Sequence, residues 1–291
     1  MAIPILDFWK KYYSNPDEGL GSTYERFIIN DILDRVVKDY DIKSVLEVPS
    51  FGFTGLSGIN SLWLSLNGMQ VNVVDSDKER LNLVSEVWNK VESKLHNKML
   101  AVDFTYLENF DKLPFDDNSF DMIWNFSAMW FVQDLELFLS QLANVSKKII
   151  LIMVPNRTGL GYLHQKYTGK KDLSKYLIEN NIKSSVFIPI LKKYGWNLIE
   201  DNYLDCPLWP DIGMSKEDFF SKLFLRKKPV PKYKKTKDGI SIIDYYIGAK
   251  PEMKLSLNKY KLFENFAPGI FKKIWAHHHY YLFVPEKNIK I

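Results

Sequence analysis

Residues 45–60 read VLEVPSFGFTGLSGIN, and the pattern within this stretch indicates the fold class. An apolar run ends at Glu47, a loop with Gly52 and Gly55 follows, and a helical spacing of apolar residues begins at Ser57. Short apolar runs of this kind are typical of strands buried in a parallel sheet. In open α/β sheets, ligands bind where such a strand passes through a turn into a helix. The stretch therefore predicts a strand, a candidate ligand loop and a helix.

The same alternation of strand and helix repeats along the chain. Strands are predicted at 44–48, 70–74, 98–102, 120–124, 148–154, 196–204 and 280–284, and helices at 22–39, 57–66, 78–91 and from 135 to 142. Ser22 and Glu25 have the spacing of a capping box at the start of the first helix. Strands that alternate with helices in this way predict a doubly wound α/β architecture.

Composition narrows the class of protein. The 291 residues are 46% hydrophobic and 25% charged, and the net charge of +4 is too small to require a polyanionic partner. Cys206 is the only cysteine, which excludes an intramolecular disulfide and a multi-thiolate metal site. No window of 18 apolar residues predicts a membrane helix, so a soluble, cytoplasmic protein is expected. The run 277–279 is three histidines, but neighbours alternate across a strand and no third ligand is evident, so no metal site is predicted.

Polar residues close four neighbouring predicted strands. They are Glu47, Asp75, Asp103 and Asn125. Three carboxylates at one edge would repel a phosphate, and the G-x-x-G-x-x-G spacing at 52–58 differs from the G-x-G-x-x-G of dinucleotide-binding loops. Carboxylates accept hydrogen bonds from an ammonium group and from ribose hydroxyls. The pattern therefore favours a cationic ligand without phosphate that carries a ribose and an adenine.

At these positions the chain resembles the class I S-adenosylmethionine-dependent methyltransferases. VLEVPSFGFTG resembles their first motif, and Asp75 in VNVVDSD matches the acidic residue that holds the ribose. Asp103 and Phe104 in LAVDF match the pair that meets the adenine. LPFDDNSFDMIWNFSAMWFV, residues 113–132, is similar to the fourth-strand block of the small-molecule, methyltransferase type 11-like branch. Pro49 and Phe51 stand where that family has glycines.

The resemblance implies a Rossmann-like seven-stranded sheet with an antiparallel last strand, and S-adenosylmethionine as cofactor. The implied cofactor-binding residues are Glu47, Gly52, Gly55, Asp75, Ser76, Asp103, Phe104 and Asn125. The implied reaction is methyl transfer to a small-molecule or lipid-like acceptor, and no catalytic residue is assigned. Tyr24, Glu25 and His164 are candidates for handling a proton, and Trp124, Phe126, Trp130 and Phe131 for lining an apolar acceptor pocket.

The domain organisation follows from where the strand–helix alternation holds. Residues 1–43 are expected to form an N-terminal helical segment that covers the site, and 44–205 with 277–291 the methyltransferase core. Residues 206–276 interrupt the alternation and are expected to form a C-terminal insertion or cap.

Two alternatives stay open. The departures at Pro49 and Phe51 suit a non-catalytic binding protein that kept the fold. The basic run at 226–237 suits an RNA methyltransferase, because clustered lysines and arginines contact phosphates.

Overall fold

A computed structural model describes residues 10, 13, 18–52, 56–95, 99–168, 177–209 and 240–286. Its centre is a seven-stranded sheet in the order β3-β2-β1-β4-β5-β7-β6. The strands are β1 (Ser44–Glu47), β2 (Gln70–Asp75), β3 (Val102–Tyr106), β4 (Phe120–Phe126), β5 (Ser146–Pro155), β6 (Trp196–Leu204) and β7 (His278–Pro285). β1 to β5 pair in parallel, whereas β7 runs antiparallel to both β5 and β6. The predicted fold class, with its antiparallel last strand, is confirmed.

Helices lie on both faces of the sheet. They are α1 (Gly19–Tyr40), α2 (Leu62–Leu66), α3 (Lys78–Glu92), α4 (Leu135–Val145), α5 (Leu160–Thr168), α6 (Ser184–Lys193), α7 (Ile242–Tyr246), α8 (Met253–Asn258), α9 (Leu262–Phe266) and α10 (Gly269–Trp275). Short 3₁₀ turns occupy Met129–Phe131 and Glu179–Ile182. Among these residues, no helix has both the length and the apolar character needed to cross a membrane.

Two hydrophobic cores enclose the sheet. One contains the apolar faces of α1, α2 and α3 together with residues of α7 and α8, and the other contains those of α4 and α6. The central strands β1, β4 and β5 contribute alternate side chains to both cores, which explains their nearly continuous apolar sequence. Because β1 lies between β2 and β4, the carboxyl ends of these three strands meet at the middle of one edge.

Helix α1 begins earlier than the sequence predicts. Its first residue is Gly19, so Ser22 lies inside the first turn and the predicted capping box is wrong. Glu25 does not reach back to a cap but approaches His278 in β7. The helix N-cap is Glu18, whose carboxylate is used elsewhere.

Three further element boundaries differ from prediction. The helix expected over 57–66 is reduced to α2, and residues 255–266 of the predicted insertion, whose apolar spacing suits one helix, are divided between α8 and α9. The third strand begins at Val102, where the sequence predicts its end. Within the predicted insertion, residues 210–239 lie outside the described residues, and the division into segment, core and cap stays a prediction.

Candidate active site

Glu47 ends β1 at the middle of the carboxyl edge, and its side chain is 1% exposed. Its carboxylate accepts hydrogen bonds from the backbone N–H of Ser61, at 3.2 Å, and from Asn60 Nδ2, at 3.5 Å. These contacts hold residues 60 and 61 in a turn, which is why α2 starts only at Leu62. Burial raises the pKa of Glu47 to about 7, although the hydrogen bonds oppose that shift.

Asp75 ends β2 next to Glu47, and its carboxylate accepts hydrogen bonds from three of the described residues around it. Arg80 binds both carboxylate oxygens, with 2.8 Å from Nε to Oδ2. Ser50 Oγ donates at 2.6 Å and the backbone N–H of Asp77 at 2.9 Å. Arg80 lies in the first turn of α3, which Asp77 caps by accepting from the Arg80 N–H at 3.0 Å. The carboxylate is therefore buried and paired with a guanidinium.

The loop after β1 packs closely on the end of β4. A Cβ on Gly52 would lie 2.0 Å from the carbonyl oxygen of Phe126 and 2.5 Å from the carbonyl carbon of Ser127, so only glycine fits there. Phe51 lies against the Arg80 guanidinium, 3.9 Å from ring centroid to Cζ. The Val48–Pro49 peptide bond is cis. Gly55 is outside the described residues.

Helix α1 fixes the far side of this loop. Glu18 and Arg26 form an ion pair that is almost fully buried. Glu18 accepts from the backbone N–H of Leu56 at 2.7 Å, and Arg26 donates to the Leu56 carbonyl at 2.6 Å and to Asn60. The N-terminal helix thus contributes charged side chains to the loop that follows β1.

Several buried polar atoms at this edge lack a hydrogen-bond partner among the described residues. Asn125, the penultimate residue of β4, is 0% exposed, and both of its side-chain amide atoms are unpaired. The hydroxyl oxygen of Ser127, in the next turn, is buried and unpaired as well. Because buried polar atoms in folded proteins are normally hydrogen-bonded, these atoms mark a place where a ligand can supply the partners.

Residues 53–150 match a family model described as "Methyltransferase domain", and this range contains Asp75 and Asn125. Residues 53–150 of the chain are thus similar to a methyltransferase domain. The predicted resemblance to the class I S-adenosylmethionine-dependent methyltransferases is therefore confirmed, and S-adenosylmethionine is the cofactor of that class. No curated protein matches the chain.

Solved structures agree with the fold of the methyltransferase domain. A putative sarcosine dimethylglycine methyltransferase from Galdieria sulphuraria is 14% identical, with a TM-score of 0.51, and the match covers 88% of this chain and 84% of the other. Magnesium protoporphyrin IX methyltransferase from Synechocystis, solved with bound SAH, is 14% identical with a TM-score of 0.51, over 71% and 89% of the two chains. At such identity the likeness shows the fold alone.

Three predicted site residues of the methyltransferase domain lie elsewhere than expected. Asp103 is the second residue of β3 and pairs with Asn72, so it lies three positions before the strand end, and its prediction as a strand-end residue is wrong. Phe104 packs edge-on against Trp88 of α3, with 5.7 Å between ring centroids. Asn125 lies within β4 and not after it. Ser76 directly follows β2 and is exposed.

The actual end of β3 brings other residues to the edge. Tyr106 pairs with Asp75, and the exposed Glu108 and Asn109 follow in the next turn. Sequence reasoning also missed Arg80 and the Glu18–Arg26 pair. The position of Arg80 could have been predicted, because it follows the strand-end residue Asp75 by five residues. That spacing places a cation in the first turn of the following helix.

The four aromatic residues predicted to line an acceptor pocket divide into two groups, two within β4 and two in the turn after it. Trp124 is a core residue whose Nε1 donates to Ser61 Oγ at 2.9 Å, so it does not line a pocket. Phe126 packs against the ring of His278, with 4.5 Å between centroids. Phe131 contacts Phe51, and Trp130 is buried beside it with an unpaired Nε1 among the described residues.

Proposed function

We propose that this chain is an S-adenosylmethionine-dependent methyltransferase that acts on a small-molecule or lipid-like acceptor. The observation that carries the proposal is the pair of carboxylates, Glu47 and Asp75, that end the neighbouring central strands β1 and β2. Carboxylate oxygens at this edge can accept hydrogen bonds from an ammonium group and from ribose hydroxyls, which favours a cofactor that carries both over one that carries a phosphate.

The residues present fit such a cofactor. Asp75 is the acceptor best placed for ribose hydroxyls, because it ends β2 and takes hydrogen bonds from donors at its own edge. Asn125 and Ser127, at the end of β4 on the other side of β1, offer buried polar atoms that are unpaired among the described residues. Asp75 is engaged by Arg80, so it becomes available to a ligand only when the guanidinium releases it.

Bound S-adenosylmethionine supplies a methyl group on a sulfonium. Transfer of that group is an in-line displacement, so the protein contributes mainly by aligning the acceptor and by excluding water. Phe51 and Phe131 pack together at this edge, with 5.2 Å between their ring centroids, and Trp130 is buried beside Phe131. These apolar side chains next to the candidate cofactor site are the basis for proposing a small-molecule or lipid-like acceptor.

Isothermal titration of the wild-type chain with S-adenosylmethionine and with S-adenosylhomocysteine tests the proposal. We expect saturable binding of both ligands at one site per chain. Absence of heat and of any thermal stabilisation by either ligand would exclude the proposed function.

Asn125→Leu tests whether the unpaired amide takes part. Replacing a buried unpaired amide by an apolar group of similar size removes a penalty of about 1–3 kcal/mol, so the ligand-free variant should be more stable than the wild type. Its affinity for S-adenosylhomocysteine should fall by about tenfold, which corresponds to the loss of one hydrogen bond of roughly 1.4 kcal/mol. Asn144→Leu, at an exposed position of α4, is the matched control and should leave the affinity unchanged.

A non-catalytic binding protein is the second candidate, and one observation favours it. Asp75 is already saturated by Arg80, Ser50 and Asp77, and Phe51 covers the guanidinium, so the edge is closed by the chain's own side chains. Transfer of a labelled methyl group from S-adenosylmethionine to any acceptor would exclude this candidate. The RNA alternative depends on residues 226–237, which lie outside the described part of the chain.

A further inference from the structure

A second polar cluster lies buried at the same edge of the sheet. Because β7 is antiparallel, its first residue, His278, pairs with Pro155 at the end of β5 and with Leu204 at the end of β6. Asp205 follows β6 directly, and Glu25 reaches the same place from α1. One imidazole and two carboxylates, from three separate parts of the chain, therefore lie close together.

The three groups are close together and shielded from water. Glu25 Oε1 and His278 Nδ1 are 2.7 Å apart, and one ligand atom from each of Glu25, Asp205 and His278 lies within 4.8 Å of the others. The residues are 2%, 3% and 0% exposed, respectively. The Phe126 ring packs against the imidazole of His278. The cluster is thus enclosed, and bulk water does not balance its charge.

The internal contacts leave this cluster unsatisfied. Glu25 Oε1 and both ring nitrogens of His278 have no hydrogen-bond partner among the described residues, since the 2.7 Å approach is not aligned as a hydrogen bond. Asp205 is paired with His277, but the Glu25 carboxylate and the His278 imidazole face each other without an aligned hydrogen bond, and buried charged groups are costly unless they are well paired. A cation bound by all three groups would satisfy these atoms together.

Another histidine, His277, lies next to these three residues and hydrogen-bonds to Asp205. His277 Nδ1 lies 2.5 Å from Asp205 Oδ2, and the backbone N–H of His277 donates to the Asp205 carbonyl at 3.0 Å. Asp205 has the left-handed backbone φ of 59°, which this pair of contacts holds in place. Ligating carboxylates in metal sites are typically oriented by such outer hydrogen bonds.

We propose that Glu25, Asp205 and His278 bind a divalent transition-metal ion, and that Zn²⁺ is the ion of choice. Imidazole selects transition metals over Mg²⁺ and Ca²⁺, and Zn²⁺ binds more tightly to most N/O sites than Mn²⁺ or Fe²⁺. Three protein ligands leave a coordination position open, as in zinc sites that accept water or substrate. This site is independent of the proposed methyl transfer, and it replaces the sequence-based prediction that no metal is bound.

Metal titration tests the site without any knowledge of the acceptor. The untagged chain is treated with a chelator, dialysed, and titrated with Zn²⁺ alone, and bound zinc is counted by mass spectrometry after desalting. We expect one Zn²⁺ per chain and a higher melting temperature in Zn²⁺ than in chelator. Less than one-tenth equivalent of zinc after titration would overturn the proposal.

Variants locate the ion. Glu25→Gln and Asp205→Asn should each weaken Zn²⁺ binding by at least tenfold, because each removes an anionic ligand without changing its size. Asp201→Asn is the matched control, since Asp201 pairs with His279 between the same two strands but is exposed at the surface, and it should bind Zn²⁺ as the wild type does. Equal binding by all three variants would overturn the assignment and leave two internal histidine–carboxylate pairs as the role of the cluster.

Cobalt binding is measured on the wild-type chain, so this test does not depend on whether any variant folds. Co²⁺ added to the chelator-treated wild type should produce visible d–d absorption that one equivalent of Zn²⁺ removes. A spectrum indistinguishable from that of aqueous Co²⁺ would overturn the proposal even if every variant were insoluble.

Discussion

Arg80→Met separates the two roles that Asp75 has in this structure. The variant keeps an unbranched apolar side chain near Phe51 but removes the guanidinium that binds both oxygens of Asp75. Removing one partner of a buried ion pair costs about 3–5 kcal/mol. Ser50 and the Asp77 N–H still donate to the carboxylate, so we expect a loss in the free energy of unfolding near the lower end, about 3 kcal/mol.

The same substitution should strengthen cofactor binding. In the wild type, a ligand that takes Asp75 must first break the contacts of Arg80, and a hydrogen bond to a charged group is worth about 1.5–3 kcal/mol. With the guanidinium removed, that cost disappears from the binding reaction. The affinity for S-adenosylhomocysteine should rise by about tenfold to a hundredfold.

Urea denaturation and isothermal titration measure the two effects on the same sample. Arg35→Met is the control, because Arg35 pairs with Glu200 at a partly exposed position, where an ion pair contributes less than about 1 kcal/mol. It should leave the affinity unchanged. A weaker or unchanged affinity in Arg80→Met, together with the expected loss of stability, would refute the view that Arg80 competes with the cofactor for Asp75.

Two other predictions concern the same edge. The pKa of a glutamate in an unfolded chain is about 4.3, and burial raises that of Glu47 to about 7, so the folded protein binds more protons between these values and its stability falls as the pH rises through them. Glu47→Gln should therefore raise the free energy of unfolding by roughly 3 kcal/mol at pH 8 and have little effect at pH 4, whereas Glu108→Gln, at an exposed position, should have little effect at either pH; equal changes for Glu47→Gln at both pH values would contradict this. Gly52→Ala should destabilise the protein by about 1–3 kcal/mol in a thermal melt, because the new Cβ meets backbone atoms. Gly21→Ala, which meets no atom within 4 Å in α1, should be neutral or stabilising, and similar losses for both alanine variants would contradict the packing argument.

The central strands could be predicted from the sequence because burial on both faces makes them apolar throughout. Glu47 and Asp75 follow such runs, and the structure does place them on neighbouring strands. The edge strand β3 was misplaced for the same reason. It is only partly buried and its sequence, VDFTY, is mixed, so the hydrophobic pattern favours the more apolar segment before it.

The contacts that connect distant parts of the chain were not visible locally. Ser22 and Glu25 have the spacing of a capping box, but the Glu25 carboxylate lies against the imidazole of His278, which is far away in the sequence. Asn60 and Ser61 fit a helical pattern, but they bind Glu47 and Arg26, and these side-chain contacts win over the local helix propensity. Long-range polar contacts of this kind leave no period in the sequence.

The Glu18–Arg26 pair has a consequence for how the molecule opens. Glu18 accepts a hydrogen bond from the amide of Leu56, and Arg26 donates one to the carbonyl of the same residue. Local unfolding of the first helix therefore releases this residue at the same moment, and the two segments form one cooperative unit. Amide hydrogen exchange at Leu56 would then follow the undocking of α1, so a single slow proton reports when the loop after β1 is released from the helix.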